Sequence, residues 1–255
     1  MCNHEYSYAK KCPYPQLFEK WSEKRDIARE LISKKHKEAY KIFPELFLDF
    51  DLTLKKDNVG KCLFHSEDLP WKRENQFIRH FRELVDILNW DDDINDRLKM
   101  DFEDFVFVGN DPMSWGNSDF VCRLNDLIFE KYANFQNATF VDYAYFSKVR
   151  FESHTYFRNS VFQGGCKFEE DSLFLGSVNF QSCTFKDYCY FRNVVFQKSA
   201  YFENAAFLNN TEFIDVVFLG TIKLKSANHY ILRIKRIKKD FLDNQYNLIL
   251  IIIKL

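Results

Sequence analysis

Between residues 131 and 220 the apolar positions recur at a period that suits neither a helix nor a simple strand. Phenylalanine stands at 135, 140, 146, 151, 157, 162, 168, 174, 180, 185, 191, 196, 202, 207, 213 and 218, and nowhere else in that stretch. The steps are five or six residues, mostly alternating. Two residues before each Phe the chain is always small or β-branched, from Ala133 and Ala138 to Thr211 and Val216. Two residues after, 13 of the 16 positions are Asn, Asp, Ser or Gly, with Lys148, Glu170 and Lys198 as the exceptions. A helix repeats its apolar face every 3.6 residues and a half-buried strand every two. A step of about 5.5 with a turn-former in every unit predicts a short straight segment, a turn, and the same again. The large side chain of each unit points into a narrow core. The small one beside it fits where a second large one would clash.

These units, with ANFQN and ATFVD as clear instances, resemble the pentapeptide-repeat family in its Phe-centred form. The resemblance covers roughly 90 residues. It implies a mainly β fold, a right-handed four-sided β-helix with one unit per side and four Phe per coil. Adjacent strands would then lie about 4.8 Å apart.

The flanks read differently. Residues 100–130 are an irregular lead-in, with Phe102 and Phe107 five apart, a loop over 111–117, and Phe120 and Phe129 beginning the stack. Residues 74–90 (ENQFIRHFRELVDILNW) carry Phe77, Ile78, Phe81, Leu84, Val85 and Leu88 at helical spacing, which predicts an amphipathic helix able to cap the open end of the solenoid. A more charged helical region is expected over 16–43. The organisation is thus a helical N-terminal region, 1–99, a solenoid, 100–224, and a C-terminal cap or tail, 225–255, where the repeat fails.

Composition adds two points. The chain holds 29 Phe against 7 Gly, so one side chain fills one repeated environment. The formal net charge is −1, and residues 131–220 hold nine acidic and eight basic residues, which argues against a DNA-mimicking or a DNA-binding surface. The opening MCNHEYSYAKKCPYP predicts no secretory leader, so the seven Cys are expected as reduced thiols in the cytoplasm. Cys166, Cys183 and Cys189 fall in the small-residue column and read as packing residues. Of the remaining Cys2, Cys12, Cys62 and Cys122, Cys62 belongs to Cys62-Leu63-Phe64-His65. That Cys-x-x-His spacing lets two ligands grip one tetrahedral ion, and Cys2 and Cys12, or His4 in place of one of them, would complete a structural zinc site; the alternative reading is that these are free structural cysteines. CPYP and CLFHSED also resemble a Cys/His leader found in some bacterial pentapeptide-repeat proteins, although about 50 residues separate the two halves here.

No G-x-S-x-G elbow, phosphate-binding Gly-rich loop or H-E-x-x-H motif occurs, so no catalytic residues are assigned. Tyr145 and Tyr190 are expected on one outer face with Lys167 between them, and Tyr156 and Tyr201 on the opposite face around Asn179. The expectation is a non-catalytic scaffold for a protein partner, with end-to-end dimers through a solenoid end as one mode of assembly. The competing reading uses the basic and apolar segment YILRIKRIKKDFLDNQYNLILIIIKL for membrane contact, its apolar end being the start of a span in a longer product.

Overall fold

The computed structural model describes residues 12, 14, 16–18, 57–90, 100–112, 120–224, 228–229 and 232–235. The chain divides into two compact units, residues 1–95 and 96–255.

In the first unit, Asp57 organises a tight turn by accepting the Val59 and Lys61 N–H groups on Oδ1, and the chain then enters the Cys62–His65 segment. Two helices follow, α1 (Leu69–Glu74) and α2 (Phe77–Trp90). Asp68 caps α1 by accepting the Trp71 N–H, and Pro70 occupies its first turn, where no amide partner is needed. The sequence pattern predicts one helix over 74–90. The structure breaks it at Asn75–Gln76, where Gln76 takes a left-handed φ of 52°, so that Glu74 closes α1 and Phe77 opens α2. Phe77, Phe81, Leu84, Val85 and Leu88 are buried as the spacing requires. The charged region over 16–43 lies outside the described residues, apart from 16–18.

The second unit is the four-sided, right-handed solenoid. Its strands are two to five residues long and pair in parallel, coil upon coil, into four sheets of five, five, six and seven strands. In chain order the four faces carry Phe146, Phe151, Phe157 and Phe162, and these are called faces one to four. Between residues 120 and 229 each residue meets its equivalent 22 or 23 positions later, as Phe146 meets Phe168 and Phe168 meets Phe191, and the last pairing on face one, Thr211 with Leu232, is 21 apart. All 16 ladder Phe are buried, and so is every residue of the small column. Inside, the rings form four columns. On face two the centroids run Phe129–Phe151 4.7 Å, Phe151–Phe174 4.8 Å, Phe174–Phe196 4.9 Å and Phe196–Phe218 4.9 Å, with interplanar angles of 6–11°. Rings of faces two and three meet edge-on, as Phe151 and Phe157 do at 85°, whereas those of faces three and four meet tilted, as Phe157 and Phe162 do at 46°. The ring spacing is the strand spacing, so one geometry satisfies the backbone ladder and the aromatic contacts together.

The alternation of five and six has a backbone cause. The five-residue steps pass through a left-handed residue: Asn137, Lys148, Asn159, Ser182, Asn193, Asn204 and Asp215, with φ of 52–60°. The six-residue steps turn without one, except at Gly165 and at a single insertion. Between Phe168 and Phe174 an extra residue is absorbed by two successive left-handed residues, Glu170 and Asp171. After three of these corners a small side chain reaches down to the coil below. Ser160 Oγ donates to the Phe135 carbonyl at 2.6 Å, Ser172 Oγ to that of Phe146 at 3.0 Å, and the Cys183 thiol to that of Phe157 at 2.7 Å. At a corner of the other kind, a Cβ on Gly176 would lie 2.3 Å from the Ser153 carbonyl carbon, so only glycine lets the coils approach there.

The array begins and ends beyond the limits that phenylalanine marks. Phe107 already pairs with Phe140 on face four, and Phe102 stacks on Phe135 at 4.9 Å, although the residues of each pair are 33 apart instead of 22 or 23. The additional chain includes a strand, Asp111–Pro112, laid antiparallel on Phe120–Arg123 at the edge of face one. Proline, with no N–H to offer, suits an edge. Leu124, not Phe120, takes the inner position before Phe146, and Cys122 joins the small column opposite Ala144. At the other end, Asn228–His229 pairs with Ala206–Phe207 and Leu232–Lys235 with Thr211–Ile214, so the ladder extends past Leu224. Residues 236–255 lie outside the described residues, and with them the apolar terminal segment.

One correction concerns sulfur. Cys166 and Cys189, expected as reduced packing residues, are joined as a disulfide. In-register parallel pairing places their Cα atoms 4.8 Å apart, within the range a disulfide spans.

Two predictions follow from the ladder and its corners. Phe157 contacts rings above, below and beside it, so Phe157→Ala lowers the unfolding free energy of the solenoid by about 3–5 kcal/mol in urea titration; a loss under about 1 kcal/mol would mean the column is not packed. Lys148 occupies a left-handed corner that Asn fills elsewhere, so Lys148→Asn raises stability by about 0.5–1 kcal/mol in the same titration, and a decrease would show that the corner is not strained.

Candidate functional site

The first candidate lies in the N-terminal unit. Cys12 Sγ and Cys62 Sγ are 3.6 Å apart, and Cys62 Sγ is 3.2 Å from His65 Nδ1. The three ligand atoms all fall within 4.8 Å of one another, and all three residues are buried. The Cys-x-x-His spacing is held as a turn, with the Cys62 carbonyl accepting the N–H groups of His65 and Ser66 at 3.0 Å each. Ser66 Oγ donates to Asp57 Oδ2 at 2.6 Å and accepts the Asp68 N–H, linking the turn to the preceding loop and to the cap of α1. Around it stand Tyr14, Phe18, Phe64 and Phe77, with Tyr14 stacked on His65 and edge-on to Phe64.

Lys72 gave no signal in the sequence. It sits on α1 with no exposed surface, donates Nζ to the carbonyls of Phe64 and Ser66 at 3.1 Å each, and lies 4.4 Å from the Phe77 ring centroid. A buried ammonium is tolerated only where such acceptors meet it. Here they are the two carbonyls that flank His65. Of the four residues the sequence nominated, Cys12, Cys62 and His65 are brought together across 50 residues of chain, and Cys2 lies outside the described residues.

The second candidate is face one of the solenoid. Parallel register stacks its outward residues in the order Arg123, Tyr145, Lys167, Tyr190, Glu212, so aromatic and charged side chains share one column. Tyr145 O–H donates to Glu169 at 2.8 Å, Lys167 Nζ pairs with the same carboxylate at 2.6 Å, and Nζ lies 5.6 Å from the Tyr145 ring. Tyr188 stacks on Tyr190 at 6.4 Å and is 41% exposed. Tyr143 adds a fourth ring beside the Gly164–Gly165 corner, where a Cβ at Gly165 would lie 2.5 Å from the Tyr188 carbonyl oxygen and 3.4 Å from the Tyr143 ring. Burial pushes the Tyr145 phenol up to about 12, and the Glu169 carboxylate that accepts its proton adds to this. Tyr143 and Tyr190 are raised by burial too.

The other faces differ. Face three carries Asn134, Tyr156, Asn179, Tyr201 and Lys223, as the sequence spacing requires. Face two carries Ile128, Arg150, Leu173, Val195 and Val217, and face four mainly Thr, Val and Ala.

The family described as pentapeptide repeats matches residues 124–170, 157–206 and 180–228. Residues 124–228 are pentapeptide repeats. The pentapeptide-repeat domain therefore accounts for the solenoid and leaves the Cys/His cluster of the N-terminal unit outside the matched region. No curated protein and no solved structure matches the chain. Among the described residues no helix is long and apolar enough to cross a membrane.

The Tyr145–Glu169 hydrogen bond has a pH signature. The fold holds the protonated phenol, whose ordinary value is about 10, so its contribution is complete below about pH 10 and disappears as pH rises through about 12. The urea midpoint of the native chain therefore falls faster over this window than that of Tyr145→Phe. Parallel profiles would show that the bond does not form.

Proposed function

We propose that the chain is a non-catalytic scaffold whose pentapeptide-repeat domain presents face one to a protein partner. The observation that carries this reading is the column Arg123–Tyr145–Lys167–Tyr190–Glu212, flanked by Tyr143 and Tyr188. Tyr and Arg are the residues that concentrate binding energy at protein interfaces, because they offer large contact area and a polar tip together. Here their backbone is fixed by two neighbouring coils, and little conformational entropy remains to be lost on association. The mixed charge of the column favours a partner surface that is itself mixed, over the uniform phosphate array of a nucleic acid. The solenoid interior supports the non-catalytic assignment: it is filled by phenylalanine and small residues, and its chemistry is confined to the outward positions.

Comparison of faces in the native host tests this. A photo-crosslinking side chain at Tyr190, on face one, captures a discrete protein, and Tyr145→Ala reduces the yield at least about tenfold, the effect of losing one interface hot spot. The same crosslinker at Thr184, on face four, does not capture it. Equal capture from both faces, or a yield indifferent to Tyr145, would remove face one from consideration.

A further inference from the structure

We propose that Cys12, Cys62 and His65 bind a structural zinc ion that joins residue 12 to the 62–65 turn. The distances carry the argument. In a tetrahedral zinc site, with Zn–S near 2.3 Å and Zn–N near 2.0 Å, two sulfurs stand about 3.8 Å apart and a sulfur and a nitrogen about 3.5 Å. The observed 3.6 Å and 3.2 Å lie close to these values, and the first is far from the roughly 2.05 Å of a disulfide. Three soft or borderline ligands, two thiolates and an imidazole, select zinc over the hard cations that prefer oxygen. On binding, the two thiols release their protons to solvent and the imidazole coordinates as the neutral base.

The surroundings fit a structural ion. The ligands are buried at 6%, 0% and 2% exposure beneath Tyr14, Phe64 and Phe77. The Cys62–Ser66 turn is held from two sides, by Lys72 on the carbonyls of Phe64 and Ser66 and by Asp57 on the Ser66 hydroxyl. These contacts fix the direction of Cys62 and His65 from the protein side, as the outer partners of a metal's ligands do. The ion then closes a loop of 50 residues, the kind of long closure for which a crosslink removes most unfolded-state freedom. Three side chains fill three corners of the tetrahedron, and the sequence offers Cys2 for the fourth.

The test uses the full chain, purified without chelators, with metal content measured by elemental analysis. The expected result is about one zinc per chain, lost in Cys62→Ser and in Cys12→Ser. A variant that fails to fold would also lose metal. The wild-type chain is therefore exchanged into cobalt(II), whose thiolate-to-cobalt charge-transfer bands and tetrahedral ligand-field bands report the ligand set without any substitution. Both band sets are expected. No zinc in the wild type, zinc retained when Cys12 and Cys62 are both replaced, a cobalt spectrum without thiolate bands, or a Cys12–Cys62 disulfide by mass spectrometry would each overturn the proposal.

Discussion

The distance between neighbouring strands of a parallel ladder, about 4.8 Å, is the constraint on which the solenoid depends. A phenylalanine ring stacked on its equivalent in the next coil meets that distance, as the centroid separations of 4.4–5.1 Å along face one show. The core is too narrow for two large residues per side, so the residue two positions before each ring is Ala, Val, Thr, Ser or Cys. Each strand is too short to hold itself, and its amides bond to the coils above and below, as Phe157 N–H does to the Asn179 carbonyl. Ring stacking and backbone pairing therefore form together, in the manner of repeat proteins whose units are stable only against neighbours.

The same constraint explains what could be read from the sequence. A repeated environment writes a repeated residue, so the Phe ladder marked each unit and its turn, while the number of sides, and with it the placing of Lys167 between Tyr145 and Tyr190, followed from the resemblance to pentapeptide repeats. The reason for alternating steps was not visible, because it lies in backbone conformation: Asn137 and Asp142 look equivalent as turn-formers, yet only the former takes a left-handed φ. The ends were obscured where other side chains do the same work. Leu124 replaces a ring in the first coil, and after the last coil the backbone pairing continues through residues 228–229 and 232–235, where the sequence has no phenylalanine. The 33-residue separation of Phe107 from Phe140 hid the first units, since a period search cannot see across an insertion.

The N-terminal cluster was legible in a different way. Residue type and the local Cys-x-x-His spacing nominated Cys62 and His65, because ligand chemistry restricts the choice to few side chains. Cys12 was nominated with Cys2 once the ladder cysteines were set aside, and its closure onto Cys62 across 50 residues is a tertiary contact that no local spacing encodes. Lys72 lay beyond sequence reasoning altogether. A lysine in LPWKRE looks like a solvated helix residue, and only the tertiary placement of the Phe64 and Ser66 carbonyls turns it into a buried anchor.

The division of labour between inside and outside has a functional consequence. Along each coil the inward positions are committed to stacking and the corner positions to turning, which leaves roughly one outward residue per side free to vary. Register then places the outward residues of successive coils one above another, so such a surface is organised in columns. On face one the column alternates aromatic and charged groups, while on face two it is largely aliphatic, although both rest on identical phenylalanine ladders beneath. Surface identity in this architecture is thus separable from stability: under the proposed scaffold role a partner would read the outward column, and Tyr190 can be changed without touching the Phe191 column that holds the strand in place.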